Sequence, residues 1–419
     1  MRPRKGQKHR PSGRADVISY LHPSPCLGVR SAELCAGLLH LYWPFEGSMD
    51  PRRLAAEFDK RPLLVFWEST KACPLACRHC RADAILKPLP GELTTWEAKA
   101  FLEQLVDFGK PPPELIVTGG DPLMRLDVME LLDYAKELGI PASLAPAVSK
   151  NLFEALPELR GRVRGVSISL DGLKETHEEL RGVPGIFDST LEAVKALMAA
   201  GMRVQVNTVV WRKSFPQLPD IFKLIFDLGV RVWEVFFLIE TGRAVRSLDI
   251  SPQEYEDAVQ FLVDASRYGV QIRTVEAPFY RRAKMQRASG LSYSSPTYEK
   301  LAARLRELMG EPTRPLDPTV VPTRDGHGII FVAHDGTVYP SGFLPYPLGN
   351  VRKESIVRIY REHPLLVKMR RGELGGRCGV CEYKEICGGS RARAFAAFRD
   401  PLAEDPACIY TPRGTRNSA

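Results

Sequence analysis

The stretch ACPLACRHC, residues 72–80, follows an apolar run, LLVFWE at 63–68, and places Cys73, Cys77 and Cys80 at C-x3-C-x2-C. Three thiolates on one short loop can hold three irons of a four-iron cluster and leave the fourth iron open. Closely spaced cysteines also bind zinc, but zinc asks for four ligands in a tetrahedron. The only local fourth ligand is His79, and between Arg78 and Cys80 it has little freedom to close that tetrahedron.

Outward from this loop, short apolar runs alternate with amphipathic stretches from about residue 60, the pattern of repeated strand–helix units. Strands are expected at LLVFWE (63), ELIVTG (114), ASLAP (142), GVSISLD (165), MRVQVNTVV (202) and VWEVFFLI (232). Helices are expected near 94–109, 125–139, 149–158, 186–200, 216–229 and 251–269. Start signals stand at Thr94 or Thr95 ahead of Glu97, and at Ser251-Pro252 followed by Glu254. Six units are too few to close an eight-fold barrel. After 270 the rhythm breaks into Arg- and Pro-rich sequence, and GIIFVAHDGTVYP at 328–340 reads as a hairpin around Asp335-Gly336.

At these residues the chain resembles the radical S-adenosylmethionine (SAM) superfamily, whose C-x3-C-x2-C loop binds a 4Fe-4S cluster. The resemblance implies an α/β fold: an open six-unit (β/α)6 partial TIM barrel with a small C-terminal iron-sulfur domain. It implies that the open iron chelates the amino and carboxylate groups of SAM, and that one electron breaks a carbon–sulfur bond to give a 5'-deoxyadenosyl radical. The protein then supplies placement and shielding. It also implies an electron donor such as a ferredoxin or flavodoxin.

The polar motifs fall at the carboxyl ends of the expected strands, where barrel active sites assemble. GGDP, Gly119, Gly120, Asp121 and Pro122, follows the second strand. Most Gly-Gly pairs are only turns, but glycine also lets backbone approach a ligand, and the resemblance sets this loop against the amino group of SAM. In SISLDG, Ser167, Ser169 and Asp171 alternate and share one face. They are either a strand end capping the next helix or, as the resemblance implies for Ser169 and Asp171, neighbours of the SAM ribose or methionine moiety. Arg181 and Asn207 match SAM-contacting positions, and His79 is grouped with them. Leu238 packs on adenine or belongs to the core.

A second set, Cys378, Cys381, Cys387 and Cys408, has C-x2-C-x5-C spacing and a distant fourth member. By spacing alone, a closed 4Fe-4S cluster and zinc stand level. Beside a radical SAM core the arrangement resembles the auxiliary-cluster domain called SPASM, or its shortened twitch form. A full SPASM domain carries seven cysteines for two clusters, and here Ser341 and Arg391 stand at two of those places. The resemblance therefore implies two 4Fe-4S clusters in all, one SAM-binding and one auxiliary.

The chain has 419 residues, 44% of them hydrophobic, enough for a barrel of ordinary size and a smaller domain. The organisation expected is a leader at 1–48, the barrel at 49–290 and the auxiliary-cluster domain at 291–419. Residues 1–48 hold seven Lys or Arg and three Asp or Glu, half of the net charge of +8. No basic helix or aromatic–basic interleaving stands out, so no nucleic-acid partner is expected. The apolar LCAGLLHLYW at 34–43 is too short to span a membrane. Residues 1–48 read as a disordered or wrongly included leader, with translation beginning at Met49 and no role for Cys26 and Cys35. Seven of nine cysteines in metal-like sets indicate a reducing compartment, the cytoplasm.

CEYKEICGGSRARAFA at 381–396 resembles the radical SAM enzymes of haem synthesis, which remove or oxidise propionate side chains of sirohaem-derived tetrapyrroles and iron-coproporphyrin. Oxidative side-chain chemistry on a tetrapyrrole is the first expectation. Glu276, Tyr280 and Arg281 in RTVEAPFYRR are candidates to meet propionates, against the alternative of an ordinary exposed connection. The second expectation is a maturase acting on a ribosomally made peptide, although residues 1–60 show no winged-helix pattern to grip a leader peptide. A zinc-stabilised binding module would make GGDP and SISLDG accidental.

Overall fold

The structure, a computed structural model, describes residues 51–413. The leader expected at 1–48, with Cys26 and Cys35, lies outside the described residues. One ten-stranded sheet organises the chain: β1 Leu64–Glu68, β2 Glu114–Thr118, β3 Ala142–Leu144, β4 Val166–Ser169, β5 Val204–Val210, β6 Val232–Phe237, β7 Gln271–Val275, β8 Ile329–Val332, β9 Thr337–Tyr339 and β10 Gly349–Asn350. The order is β10-β9-β8-β1-β2-β3-β4-β5-β6-β7, and β1 to β7 are parallel. Parallel strands need crossover connections, and helices provide them.

The expected helix starts are built as capping boxes. Thr94 accepts from the Glu97 N–H while Glu97 returns to the Thr94 backbone, and Ser251 and Glu254 repeat this with Pro252 in the first turn. Between sheet and helices lies a continuous core that includes Val65, Trp67, Phe101, Leu131, Ile168, Phe222 and Trp233. Trp67, Phe101, Phe222 and Trp233 are all under 2% exposed, so both layers are sealed by aromatic packing.

Two features extend the six-unit barrel. β7 adds a seventh parallel strand beside β6, with Glu234 opposite Arg273. The hairpin of β8 and β9 turns at Asp335-Gly336 as expected, and β8 then pairs parallel with β1, Leu64 opposite Ile329. The boundary expected at 290 therefore falls within the barrel. The helix Pro296–Met309 packs on the barrel helices Leu218–Asp227 and Pro252–Ala265, and the hairpin completes the sheet. Among the described residues, no helix is long and apolar enough to cross a membrane.

Candidate functional site

β1 delivers the first cysteine set. Its loop is closed by Cys73 N–H to Ile85 O at 2.7 Å and Ile85 N–H to Lys71 O at 3.0 Å. Each thiol receives a donor: Leu75 N–H to Cys73 Sγ at 3.4 Å, Ala84 N–H to Cys80 Sγ at 3.5 Å, and Arg181 Nη1 to Cys77 Sγ at 3.8 Å. Burial, aided by Asp121 and the other two thiols, pushes Cys73 up to about 12. A buried thiol of this kind keeps its proton until a metal centre draws it off, and N–H donors then stabilise the sulfur. The set fits an iron-sulfur cluster on both counts.

GGDP grips this loop. Gly120 N–H donates to Thr70 O at 2.7 Å and Asp121 N–H to Ala72 O at 2.6 Å. A Cβ on Gly119 would lie 2.6 Å from Thr70 O, and one on Gly120 2.7 Å from Lys71 O. The space that glycine frees is thus occupied by the backbone entering the cysteine loop. Asp121 is fully buried and accepts from Leu123 N–H, Ala147 N–H and Ser149 Oγ, tying the β2 and β3 loops together. Pro122 opens the short helical turn that follows.

Asp171, just past β4, is 1% exposed. Arg181 donates through Nε at 2.7 Å and pairs through Nη2 at 2.6 Å with its Oδ2, while Val209 N–H donates to Oδ1 at 2.9 Å. Burial raises this carboxyl, but Arg181, His79, His177 and the Val209 N–H outweigh it and hold it below its ordinary value. His79 Nε2 stands 3.9 Å from Asp171 Oδ2, and burial pulls its imidazole down to about 4. Asp171 therefore fixes Arg181, and Arg181 reaches Cys77. Ser169 and Asn207 are register partners across β4 and β5, and Asn207 Oδ1 accepts from Gln205 at 2.8 Å. Leu238 is buried in an apolar cluster with Leu180, Trp211, Ala244 and Leu248.

Sequence reasoning missed two groups. After β6, Gly242 has φ +58, and a Cβ there would stand 2.8 Å from the Arg81 carbonyl carbon. Arg243 then donates to Cys77 O at 2.9 Å, Cys80 O at 3.0 Å and Ala84 O at 2.7 Å. Thr-Gly-Arg at a strand's carboxyl end was the available signal. The other is His177. It accepts at Nδ1 from Asp171 N–H at 2.9 Å, which puts its proton on Nε2, 3.3 Å from Thr190 Oγ1.

Burial pulls His177 down to about 4 from 6.5. Between these values the unfolded chain binds a proton that the folded chain refuses, so stability falls as pH drops from about 6.5 to about 4. The full loss expected is about 3 kcal/mol, at about 1.36 kcal/mol per pKa unit, of which about 2 kcal/mol falls between about pH 7.5 and about pH 5. Anaerobic urea unfolding at pH 7.5 and 5 measures it. His177→Gln should weaken the pH dependence and leave the share that buried His79 contributes, and an unchanged dependence would remove His177 as a source.

The second cysteine set shares one cavity, lined by Cys378, Cys381, Cys387 and Cys408 with Arg282, Gly389, Asp405 and Tyr410. Gly388 and Gly389 are both left-handed, φ +68 and +67, and a Cβ on Gly389 would stand 2.9 Å from Cys378 Sγ. Donors again face the sulfurs. Asp405 N–H reaches Cys378 Sγ at 3.4 Å, and the N–H groups of Tyr383, Gly389 and Tyr410 face Cys381, Cys387 and Cys408. Burial pushes Cys387 up to about 11 and Cys408 up to about 12. Among the described residues no three His, Cys, Asp or Glu gather tightly enough to ligate a single ion. Four thiols around one cavity have the donors to hold a closed 4Fe-4S cluster or a tetrahedral zinc.

The RTVEAPFYRR stretch is not an exposed connection. Tyr280 is 6% exposed and Arg281 9%, and the Arg281 guanidinium donates to the carbonyls of Ile386, at 3.1 Å, and Thr323. Glu276 is buried, with Oε2 accepting from Ser390 Oγ at 2.5 Å, and burial raises its carboxyl well above the ordinary range. These side chains join the barrel to the auxiliary cysteines. Burial withdraws Arg281 as a propionate partner.

A parallel partial barrel with a glycine-clamped three-cysteine loop at its carboxyl end defines a class of SAM-cleaving iron-sulfur enzymes. Residues 67–225 match the family model described as the radical SAM superfamily. The chain is 37% identical over 375 residues to the AdoMet-dependent heme synthase of Oleidesulfovibrio alaskensis, covering 88% of this chain and 92% of that one. It is 36% identical to the AdoMet-dependent heme synthase of Methanosarcina barkeri, covering 84% and 97%. The solved structure of Streptococcus suis SuiB bound to precursor peptide SuiA shares the fold, with TM-score 0.60, 16% identity, and coverage of 88% and 83%. The chain belongs to the radical SAM superfamily: it is an enzyme that uses SAM and a 4Fe-4S cluster.

Cys73, Cys77 and Cys80, three thiols on one loop each facing a donor, fit the holding of that cluster. When bound, it supplies the electron that cleaves SAM to a 5'-deoxyadenosyl radical. The chain's own part is placement: GGDP and Arg243 fix the loop backbone, and Asp171 fixes Arg181 against Cys77.

Proposed function

We propose that this enzyme oxidatively modifies propionate side chains of a tetrapyrrole in haem synthesis, with an auxiliary 4Fe-4S cluster held by Cys378, Cys381, Cys387 and Cys408. The observation that carries the reading is identity of 37% running over 92% of the length of a heme synthase. The peptide-bound fold neighbour, at 16% identity, supports the architecture alone. Hydrogen removal from a propionate and loss of its carboxyl as CO2 leave one electron, so an acceptor is needed near the substrate. A second redox group in the chain meets that need. A ferredoxin or flavodoxin is the reductant in this reading, and the cytoplasm, where thiols stay reduced, is the compartment. Gly119, Gly120, Ser169 and Asn207 are the SAM-facing groups in this reading, with Asp121, Pro122, His79, Asp171 and Arg181 behind them and Leu238 in the apolar cluster.

Anaerobically reconstituted protein should hold about eight irons per chain, four per cluster. Supplied with SAM, a reductant and iron-coproporphyrin, it should release CO2 and 5'-deoxyadenosine and yield a product with haem-type vinyl side chains, read by mass spectrometry. Absence of turnover across carboxylated tetrapyrroles, in protein holding about eight irons, would transfer the reading to a peptide substrate. Iron near four per chain, or zinc in the C-terminal set, would remove the auxiliary cluster.

A further inference from the structure

We propose that Arg391, with Arg281 and Arg324, supplies the counter-charge of the auxiliary cluster and raises its reduction potential. The inference rests on the reading that the second cysteine set holds a 4Fe-4S cluster. Arg391 occupies a place where the resembled SPASM pattern has a cysteine, so a ligand position has become a cation.

Three buried guanidiniums near these thiols make no close ion pair with a carboxylate, although Asp325 acts on Arg281, and Glu385 and Asp59 on Arg324, from farther off. Arg391 is 1% exposed and donates to Gly389 O at 3.2 Å, Pro401 O at 3.1 Å and Ala403 O at 2.5 Å, with Nη2 on Cys378 Sγ at 3.6 Å. Arg324 is 8% exposed and donates to Glu385 O at 2.7 Å. Arg281 donates to Ile386 O and Thr323 O. Their neighbours are paired: Arg282 with Glu256, Arg377 with Glu404 at 3.1 Å, and Arg393 with Asp405 at 3.3 Å. Among the described residues no carboxylate comes within ion-pair distance of Arg281, Arg324 or Arg391. The Asp325 carboxylate accepts the backbone N–H groups of Arg391 and Ala392, both at 3.2 Å.

A buried cation without a counter-charge is costly, and carbonyl dipoles compensate it only in part. A group that answers all three cations at the cysteines they face, Cys387 for Arg281 and Arg324 and Cys378 for Arg391, is a thiolate-ligated cluster, which carries net negative charge. Reduction adds another negative charge to it. Fixed cations and donors to sulfur stabilise the reduced state more than the oxidised one, so the potential rises. A raised potential suits an electron acceptor, the role left open by propionate oxidation.

The test uses full-length holoenzyme with SAM present, following by electron paramagnetic resonance the reduced cluster signal that SAM does not perturb. A Cys73, Cys77, Cys80→Ala triple variant identifies that signal as the C-terminal one. Arg391→Gln should lower its midpoint potential by at least a tenfold shift in the reduction equilibrium, about 59 mV for one electron. Arg391→Lys, which keeps the charge, should shift it less. An unchanged or higher potential in Arg391→Gln overturns the inference. If Arg391→Gln fails to retain iron, Arg324→Gln decides by the same downward shift or its absence. A triple variant without about four irons instead overturns the cluster reading beneath it.

Discussion

Cys77→Ala abolishes 5'-deoxyadenosine formation by the reduced enzyme with SAM, with or without substrate, and lowers iron from about eight to about four per chain. No neighbour can replace the lost thiolate. His79 is turned to Asp171 at 3.9 Å, Asp171 is held by Arg181, and Asp121, the acid beside Cys73, accepts Leu123 N–H, Ala147 N–H and Ser149 Oγ. The loop itself stays in place, because Arg243 holds the carbonyls of Cys77 and Cys80 and GGDP holds those of Thr70 and Ala72. The loss is therefore one of ligation and not of folding, and the circular dichroism spectrum should be unchanged. Chromatography of the anaerobic reaction reads the product. Continued 5'-deoxyadenosine formation by a variant verified as Cys77→Ala would refute the assignment of the first cysteine set.

What could be read from the chain was local. Thr94 with Glu97, and Ser251 with Glu254, announced helix starts because a capping box lies within four residues. The hairpin at Asp335-Gly336 is equally local. β7 was missed because QIRTV alternates only weakly and all five residues are half-buried, giving no apolar run. The pairing of β8 with β1 joins residues more than 260 apart, which no window can see. For the site, cysteine spacing marked the candidate ligands, but the partners of Gly119 and Gly120 could not be inferred. Those glycines approach backbone some fifty residues earlier, and a glycine pattern carries no record of what fills the space. RTVEAPFYRR misled through its charge. Two of its arginines are interior because the auxiliary cysteines and Glu256 fold onto them, a pairing set by distant sequence.

Asp171→Ala destabilises the protein by about 3–5 kcal/mol, the cost of breaking a buried ion pair by removing one partner. Asp171 is 1% exposed, and its loss leaves the Arg181 guanidinium without the carboxylate it meets at 2.6 and 2.7 Å. Val209 N–H loses its acceptor as well. Asp171→Asn keeps an oxygen for Val209 and should cost less. Because Asp171 titrates below its ordinary value, its contribution is full above about pH 4 and disappears as pH falls through the lowered value. Wild type and Asp171→Ala should therefore differ most near neutral pH and converge in acid, as anaerobic urea unfolding at several pH values would show. A difference under about 1 kcal/mol at pH 7.5 would sink the claim, since the pair would then be no stronger than an exposed one. The same substitution frees Arg181, whose Nη1 is the donor at Cys77 Sγ. The SAM-responsive cluster signal should consequently change even where the variant remains folded, which separates a role in placing Arg181 from one in stability alone.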